Sequence, residues 1–194
     1  VVLRKRYWLY YALQFMGGAR RQIFVVFAAF LMVEKFEFSV GAISLLLLAN
    51  AAINVTLAPK IGRLIHKFGE RRSLIFEYVG LAFIFVGYAV VESSTFAVFL
   101  YIADHIFFSI AIALKTYFQK IADPADIASS AGVSFSINHI AAVFIPVIFG
   151  LIWLYSPSLV FLAGAGMAVL SLFLALNMPA KPAAGNEVLL GKFT

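Results

Sequence analysis

The sequence has no cysteine and little charge, and both shortages exclude whole classes of protein. Cysteine is absent from all 194 residues, which excludes disulfide frameworks, thiolate metal sites and cysteine nucleophiles. Charged residues make up 12% of the chain, against about 25% in soluble domains. A soluble domain and a disordered chain are therefore both excluded, because neither combines so few charges with so many apolar residues.

Signatures of catalysis are missing as well. The three histidines lie in separate segments, so they form neither an HExxH motif nor a histidine box. The sequence contains no GxSxG serine motif and no Walker motif, which argues against a serine hydrolase and an ATP-driven pump. We therefore expect no enzyme activity, no bound metal and no cofactor in this chain.

Apolar residues dominate what is present. They form 63% of the 194 residues, which is about 120 residues and enough for about six membrane-spanning helices. Long apolar runs with few charges predict an all-α polytopic membrane protein, since a membrane β-barrel would alternate apolar and polar residues. The predicted spans are residues 7–33, 40–58, 73–91, 95–117, 133–155 and 158–178. They leave a basic linker at 1–6 and a polar tail at 179–194. We predict that the tail is disordered.

The basic residues are distributed unevenly between the two sides of the predicted six-helix bundle. Of the 15, 12 fall on the side that holds both termini, and the positive-inside rule places that side in the cytoplasm. These are Arg4, Lys5, Arg6, Lys60, Arg63, Lys67, Arg71, Arg72, Lys115, Lys120, Lys181 and Lys192. The net charge of +6 therefore reflects orientation in a membrane and does not indicate nucleic-acid binding. We expect the chain in a plasma membrane such as the bacterial inner membrane.

Two adjacent arginines lie near the middle of the first predicted span, where an ionised side chain is expensive and points to function. The run QFMGGARRQ places Gly17 and Gly18 just before them, and a glycine pair at this depth predicts a broken helix of the kind that builds solute sites in carriers. Gln14 shares a helix face with Arg21. We predict that Gln14, Arg20 and Arg21 bind a solute. The alternative is that the arginines only pair with acids on neighbouring helices.

The fourth predicted span carries a second pair of ionisable residues, Asp104 and His105. A carboxyl group beside an imidazole can exchange a proton inside the membrane, so this pair is predicted to couple transport to protons. The alternative is a structural ion pair of Asp104 with Arg20 or Arg21, and a pair that breaks on protonation would serve both roles. His139 in the fifth span is a further candidate for proton coupling, with simple hydrogen bonding as its alternative.

Other polar and small residues in the spans have simpler interpretations. Asn50 and Asn54 lie one turn apart in the second span, where they either join helices by hydrogen bonds or line a cavity and bind solute. Glu77 is predicted to pair with a base of the neighbouring loop. Gly164 and Ala168 form a small-xxx-small pattern in the last span, which predicts close helix packing.

A further signal lies between the second and third predicted spans. Residues 62–72 read GRLIHKFGERR, which resembles motif A of the major facilitator superfamily, G-x-x-x-D-[RK]-x-G-[RK]-[RK]. The positions that match are Gly62, Lys67, Gly69 and Arg71. His66 stands where the family has aspartate, and Glu70 stands where it has a basic residue. The resemblance implies that the matching residues, together with His66, form a tight cytoplasmic gating loop.

The resemblance covers about residues 4–178 and implies a function. Members of the superfamily are built from two six-helix halves and move a solute by alternating access. A start without methionine and a degenerate motif A imply the C-terminal half of such a secondary transporter, for a small polar or anionic solute. The implied partners are the solute, the lipid bilayer, and either the N-terminal half of the same permease or a second copy. The alternative is a non-transporting six-helix module that assembles with a partner chain.

Overall fold

The computed structural model describes residues 3–192 of the chain, and its architecture is helical. Six helices are long and apolar enough to cross a membrane, which confirms the predicted all-α polytopic fold. We number them α1 Lys5–Glu34, α2 Val40–Phe68, α3 Glu70–Val90, α4 Ser94–Ile121, α5 Pro124–Tyr155 and α6 Pro157–Leu176. No β-strand forms among residues 3–192, where the only extended pairing is an isolated bridge between Ala183 and Asn186.

Residues with a clear local preference begin three of these helices. The Ser39 hydroxyl accepts a hydrogen bond of 3.1 Å from the backbone N–H of Ala42 and caps α2. Proline occupies the first position of α5, at Pro124, and of α6, at Pro157. Proline suits this position because its missing N–H has no partner there in any case. The connections between helices are correspondingly short.

The segment that we predicted as a gating loop is almost entirely helical. Its helical residues are Gly62, His66 and Lys67 in α2 and Arg71 in α3. Gly69 alone joins the two helices, with φ of 83°, in the left-handed region that glycine adopts freely. The loop prediction was wrong because polar residues extend α2 past the hydrocarbon. At 29 residues the helix is about 43 Å long, against a hydrocarbon thickness of about 30 Å.

The helices pack in a pattern that repeats between the first three and the last three. The α3–α6 interface is the most extensive in the bundle. Helix α1 packs against α5 and α6, and α4 correspondingly packs against α2 and α3. Most of the contacting pairs are therefore kept when α1, α2 and α3 are exchanged with α4, α5 and α6, although the α1–α2 contact has no comparable α4–α5 counterpart among residues 3–192.

One end of the bundle, which we call the basic end, holds Arg4, Gly69, the α4–α5 connection and the C-terminal tail. Arg4 forms an ion pair of 3.1 Å with the buried Asp126 of α5. The Tyr7 hydroxyl donates to the other Asp126 carboxylate oxygen at 3.0 Å. Lys120 of α4 pairs with the buried Glu70 of α3 at 2.6 Å. These contacts tie four helices together at this end.

The C-terminal tail is ordered across residues 179–192, contrary to our prediction of disorder. Val188 is buried against the basic end, and the Tyr117 hydroxyl of α4 donates to the Glu187 carbonyl. The indole N–H of Trp8 donates to the Gly191 carbonyl at 3.0 Å. Composition alone missed this order because it counts the polar residues and not the single apolar side chain that anchors them. Residues 193 and 194, also predicted as part of this tail, lie outside the described residues.

Candidate functional site

A buried cluster of charged side chains lies inside the bundle. Arg20 of α1, Glu77 of α3 and Asp104 of α4 are each at most 1% exposed. An Arg20 Nη atom lies 4.0 Å from a Glu77 carboxylate oxygen, and the guanidinium lies over the Tyr78 ring, 4.6 Å from its centroid. Arg20 also donates a hydrogen bond to the Ser171 hydroxyl of α6. Arg20 is therefore held by side chains of α3 and α6, although its Nε atom and both Glu77 carboxylate oxygens have no hydrogen-bond partner.

Asp104 has no direct partner. No basic group among residues 3–192 lies within 4.0 Å of its carboxylate, and neither carboxylate oxygen makes a hydrogen bond. The ion pair that we predicted for Asp104 with Arg20 or Arg21 is not formed, because Arg20 lies against Glu77 instead. A buried carboxyl group without a partner is costly as a charge, so it needs a proton, a water molecule or a partner that moves.

Arg21 follows Arg20 in the sequence and lies in the opposite environment. Its side chain is exposed, and no carboxylate of the described residues lies within 4.0 Å of it. The guanidinium lies 6.0 Å from the centroid of the Phe108 ring of α4. Arg21 is close to the midpoint of α1, which runs Lys5–Glu34. Because lipid contact at this depth is costly, this face of α1 must meet water or protein.

Two cavities meet at Arg21. The first has a volume of about 550 Å³ and lies between α1, α3, α4 and α5. Its polar lining consists of Gln14, Arg20, Arg21, Gln22, Glu77, Tyr78, Asn138 and His139. The second has a volume of about 530 Å³ and lies between α1, α2 and α4. Its polar lining consists of Arg21, Asn50, Asn54, His105 and Ser109.

The structure therefore groups the predicted solute-binding residues around one junction. Gln14, Arg20 and Arg21 line the first cavity, while Asn50, Asn54 and Arg21 line the second. Asn50 is 1% exposed, and neither its amide nitrogen nor its amide oxygen has a hydrogen-bond partner. Its amide therefore does not join helices, and cavity lining is the interpretation that remains.

The two histidines predicted to couple protons lie in different cavities, and Asp104 lines neither of them. His105 lines the second cavity beside Arg21. His139 lines the first, where its ring stacks on Phe135 with 3.9 Å between centroids. His139 Nδ1 also lies 2.9 Å from the Phe135 backbone carbonyl, on its own helix. Of these groups, Asp104 alone is buried in the charged cluster, so the structure separates the carboxyl group from the imidazoles.

Helices α1 and α4 are both irregular next to this junction. In α1, residues Ile23–Ala28 form a π-helical segment, which begins two residues after Arg21. In α4, residues Ser109–Ala111 form a 3₁₀ segment, which begins immediately after Phe108. Such interruptions inside longer helices are frequent at functional sites and hinges. They occur in corresponding helices, because α1 and α4 are the first helices of the two groups of three.

The predicted break at Gly17 and Gly18 is wrong, because α-helix continues through both as far as Gln22. Gly18 serves a close approach instead. A Cβ atom at this position would lie 2.6 Å from the side-chain oxygen of Asn138 on α5. The irregular segment follows the arginines rather than preceding them, and no glycine or proline within it marks its position.

The motif residues lie away from the cavities, at the basic end. Arg71 donates a hydrogen bond of 2.9 Å to the Leu176 carbonyl at the end of α6. Glu70, the departure from the motif, is the buried partner of Lys120. Gly62 has no atom near a hypothetical Cβ position, so packing does not require glycine there. The segment therefore joins α3 to α4 and α6.

Sequence reasoning missed two residues of the site. Glu77 was expected to pair with a loop base, yet it lies against Arg20 at the wall of the first cavity. Glu77 lies seven residues, or about two helical turns, after Glu70. This spacing did not indicate which neighbouring side chain Glu77 would contact. Asn138 lines the first cavity and fixes the approach of α1 to α5. Its adjacency to His139 in SFSINH was the one available signal.

Neither the geometry nor the comparisons assign a cofactor or a relative. Among residues 3–192, no three His, Cys, Asp or Glu side chains come together as a metal site would require. No protein-family model matches the chain, and no curated protein and no solved structure matches it either. The function must therefore be argued from the cavities and the charges that line them.

Proposed function

We propose that this chain is one six-helix half of a secondary transporter, of the major facilitator type, which carries a small polar or anionic solute by alternating access. The observation that carries the proposal is Arg21, an exposed guanidinium at the midpoint of α1 where two cavities meet. Such a group is stable at this depth only beside water or protein. Cavities of several hundred cubic ångströms accommodate small molecules.

The repeated packing pattern supports a transporter over a simple membrane anchor. Carriers of this type are built from repeated groups of helices, and their solute sites lie near the midplane where corresponding helices are interrupted. Here the π-helical segment of α1 and the 3₁₀ segment of α4 flank Arg21 and Phe108. The two interruptions give both helices a place to bend during alternating access.

A second bundle is needed to cover the polar midpoints of the exposed helices. Asn54 is at the centre of α2, His139 is near the centre of α5, and both side chains are exposed. Together with Arg21 they make one polar region that lipid would not solvate. We propose that the other half of the permease, or a second copy of this chain, encloses this region as a water-filled path.

Asp104 is proposed as the group that couples solute movement to protons. It is buried next to the Arg20–Glu77 pair, and its carboxylate oxygens have no hydrogen bond. Protonation would remove its charge, and loss of the proton would leave a charge that attracts Arg20 away from Glu77. The coupling event is then a redistribution of Arg20 between two carboxylates, which the notably long 4.0 Å contact with Glu77 allows.

The basic residues support a plasma-membrane location, such as the bacterial inner membrane, with the basic end in the cytoplasm. By this proposal Gly62, His66, Lys67, Gly69 and Arg71 form the cytoplasmic hinge between α2 and α3. They act through a helix junction and not through a flexible loop. Both termini would then be cytoplasmic, and the ordered tail would cover the same side of the bundle.

The alternative function is a non-transporting module that assembles with a partner chain. The exposed polar region on α1, α2 and α5 supports it too, because a permanent interface would bury the same side chains. The two functions differ in whether the region contacts water: a carrier needs a wet path, whereas a permanent interface is dry.

A flux assay tests transport directly. The chain, joined to its partner bundle where one is encoded with it, is reconstituted in vesicles and screened for uptake of small anions with and without a pH gradient. We expect uptake driven by the gradient in the unmodified protein and loss of that drive in Asp104→Asn, with normal membrane insertion. Glu92→Gln, the same acid-to-amide change at an exposed carboxyl group that lines neither cavity, is the matched control. Gradient-driven uptake that survives in Asp104→Asn would refute the coupling role, and no flux of any solute would favour the module.

A further inference from the structure

We infer that the solute is a monoanion with a flat apolar body, and that Arg21 rather than Arg20 binds its acid group. The inference rests on the proposed transport function and goes beyond it, since it names the class of solute and assigns different roles to the two arginines. It follows from three properties of the cavities: the charge of their lining, the partners of each arginine and the nature of the apolar walls.

The charges that line the two cavities leave an excess of one positive charge. The charged side chains of the first cavity are Arg20, Arg21 and Glu77, and Arg21 alone is shared with the second. Arg20 and Glu77 lie 4.0 Å apart and offset each other. Apart from the two histidines, the remaining charged group is Arg21. An occupant with one negative charge neutralises the site, whereas a neutral occupant leaves a charge uncompensated and a dianion reverses its sign.

Arg20 is not free to bind an acid group. Its guanidinium contacts Glu77, Ser171 and the Tyr78 ring, and it is 1% exposed. A solute that recruited Arg20 would have to displace these contacts. Arg21 makes none of these contacts. Its five guanidinium donors are available for bidentate binding of a carboxylate, the geometry in which arginine binds acids most strongly.

The walls around Arg21 are aromatic and aliphatic. Phe108 lies under the guanidinium and borders both cavities. Phe135 borders the first cavity and stacks on His139 with 32° between the ring planes. Such flat faces favour stacking with a planar apolar body. Leu13 and Leu114 complete an apolar lining on the same side. A solute with an acid group at Arg21 would place its body against these side chains.

The experiment uses three small probes that separate charge from shape. Benzoate has the charge and the ring, benzamide has the ring without the charge, and acetate has the charge without the ring. Binding to the purified chain in nanodiscs is measured by equilibrium dialysis. We expect benzoate to bind at least about tenfold more tightly than either of the other probes, because each lacks one half of the interaction.

Substitution of Arg21 tests the assignment of roles. Arg21→Gln should weaken benzoate binding about tenfold or more and leave benzamide binding unchanged, while Arg21→Lys should keep part of the preference. Folding is not at risk, because Arg21 is exposed and has no acid partner. Arg63→Gln, which replaces an exposed arginine outside the cavities, is the matched control and should change nothing.

Each result is decisive. Absence of benzoate binding, equal binding of benzamide, or unchanged benzoate binding in Arg21→Gln would overturn the inference. These failures differ from a failure of the proposed function. Binding that depends on Arg21 without flux in vesicles would refute transport and keep the inference, whereas flux of benzoate and benzamide at equal rates would refute the inference and keep transport.

Discussion

Helices α3 and α6 differ from helices α2 and α5 in how much of their surface is buried in the bundle. In the most apolar window of α3, 44% of the residues are buried, and in that of α6, 39%; the corresponding shares are 6% in α2 and 22% in α5. Helices α3 and α6 pack closely on each other, whereas α2 and α5 carry exposed polar residues at their midpoints. All four are similarly apolar, so hydropathy does not separate the two pairs.

The two adjacent arginines of α1 reproduce this difference within a single turn of helix. Arg20 points toward α3 and α6, where Glu77 and Ser171 hold it. Arg21, rotated by about 100° around the helix axis, faces the cavities bordered by α2 and α5. The two side chains therefore differ in their surroundings: Arg20 is held among buried side chains, whereas Arg21 is exposed beside the cavities.

Water accessibility should give the largest contrast. The chain has no cysteine, so a single introduced cysteine is the only thiol present. We expect Asn54→Cys, in the lining of the second cavity, to react completely with a charged thiol reagent, since the reactive thiolate forms only where water reaches. Val55→Cys is the matched control, because Val55 is exposed at the same depth but lines neither cavity. It should not react, and equal reaction at both positions would contradict a wet path confined to the cavity.

Removal of a buried charge partner should give the largest loss of stability. Glu77→Ala removes the carboxylate that lies 4.0 Å from the buried Arg20 and is expected to lower the free energy of unfolding by about 3 to 5 kcal/mol. Arg21→Ala should lower it by no more than about 0.5 kcal/mol, because an exposed side chain without a partner is removed. Both are measured by denaturant titration in detergent. The double variant Arg20→Met with Glu77→Met should recover most of the stability, and failure to recover would mean that Arg20 has a further structural role.

Replacement of a glycine by a larger residue should be tolerated differently in α6 and in α5, because the two helices differ in how closely they are packed. A Cβ atom on Gly164 of α6 would lie 3.1 Å from Ile23 and 3.3 Å from Phe85, so Gly164→Leu is expected to cost about 1 to 3 kcal/mol. Gly150 of α5 has no atom within 4 Å of the same position. Gly150→Leu should therefore leave the thermal unfolding midpoint nearly unchanged. A similar loss in both variants would show that the exposed face of α5 is already packed.

The smallest contrast concerns the two faces of α5 itself. The Ser134 hydroxyl donates to the Tyr10 hydroxyl of α1 at 2.9 Å, whereas the exposed Ser136 bonds only to the Gly132 carbonyl of its own helix. We expect Ser134→Ala to cost about 0.6 kcal/mol, the average for a hydrogen bond between membrane helices. Ser136→Ala should cost less than the error of the same unfolding measurement. A larger loss of stability in Ser136→Ala than in Ser134→Ala would mean that α5 does not contact α1 through Ser134.

Much of the fold followed from local patterns. Six apolar runs predicted six helices because each hydrophobic segment must satisfy its own backbone groups in lipid. Gly164 was expected to pack closely, and a Cβ atom there would lie 3.1 Å from Ile23 and 3.3 Å from Phe85. The candidate solute-binding residues were found because an ionised or amide side chain inside an apolar run is conspicuous whatever surrounds it.

The errors share one cause: the composition of a segment is a poor guide to what surrounds each of its residues in the folded protein. Residues 62–68 were taken for a loop because they are polar, although a helix can leave the membrane and continue in water. The tail was predicted to be disordered because its few apolar residues were averaged with polar ones, although the burial of Val188 and hydrogen bonds from Trp8 and Tyr117 hold it in place. The irregular segment Ile23–Ala28 contains no residue type that breaks helices, so only the packing of α1 reveals it.

The number of spans, the side of the bundle that carries the positive charge and the presence of arginines in the first span can all be read from the amino-acid sequence. These follow from hydropathy and charge, which act locally along the chain. Tertiary structure alone decided that Arg20 pairs with Glu77, that Asp104 has no partner, and that Arg21 is exposed. The reason is geometric: successive residues differ by about 100° around a helix axis, and only the packing of the other helices determines which direction is the interior.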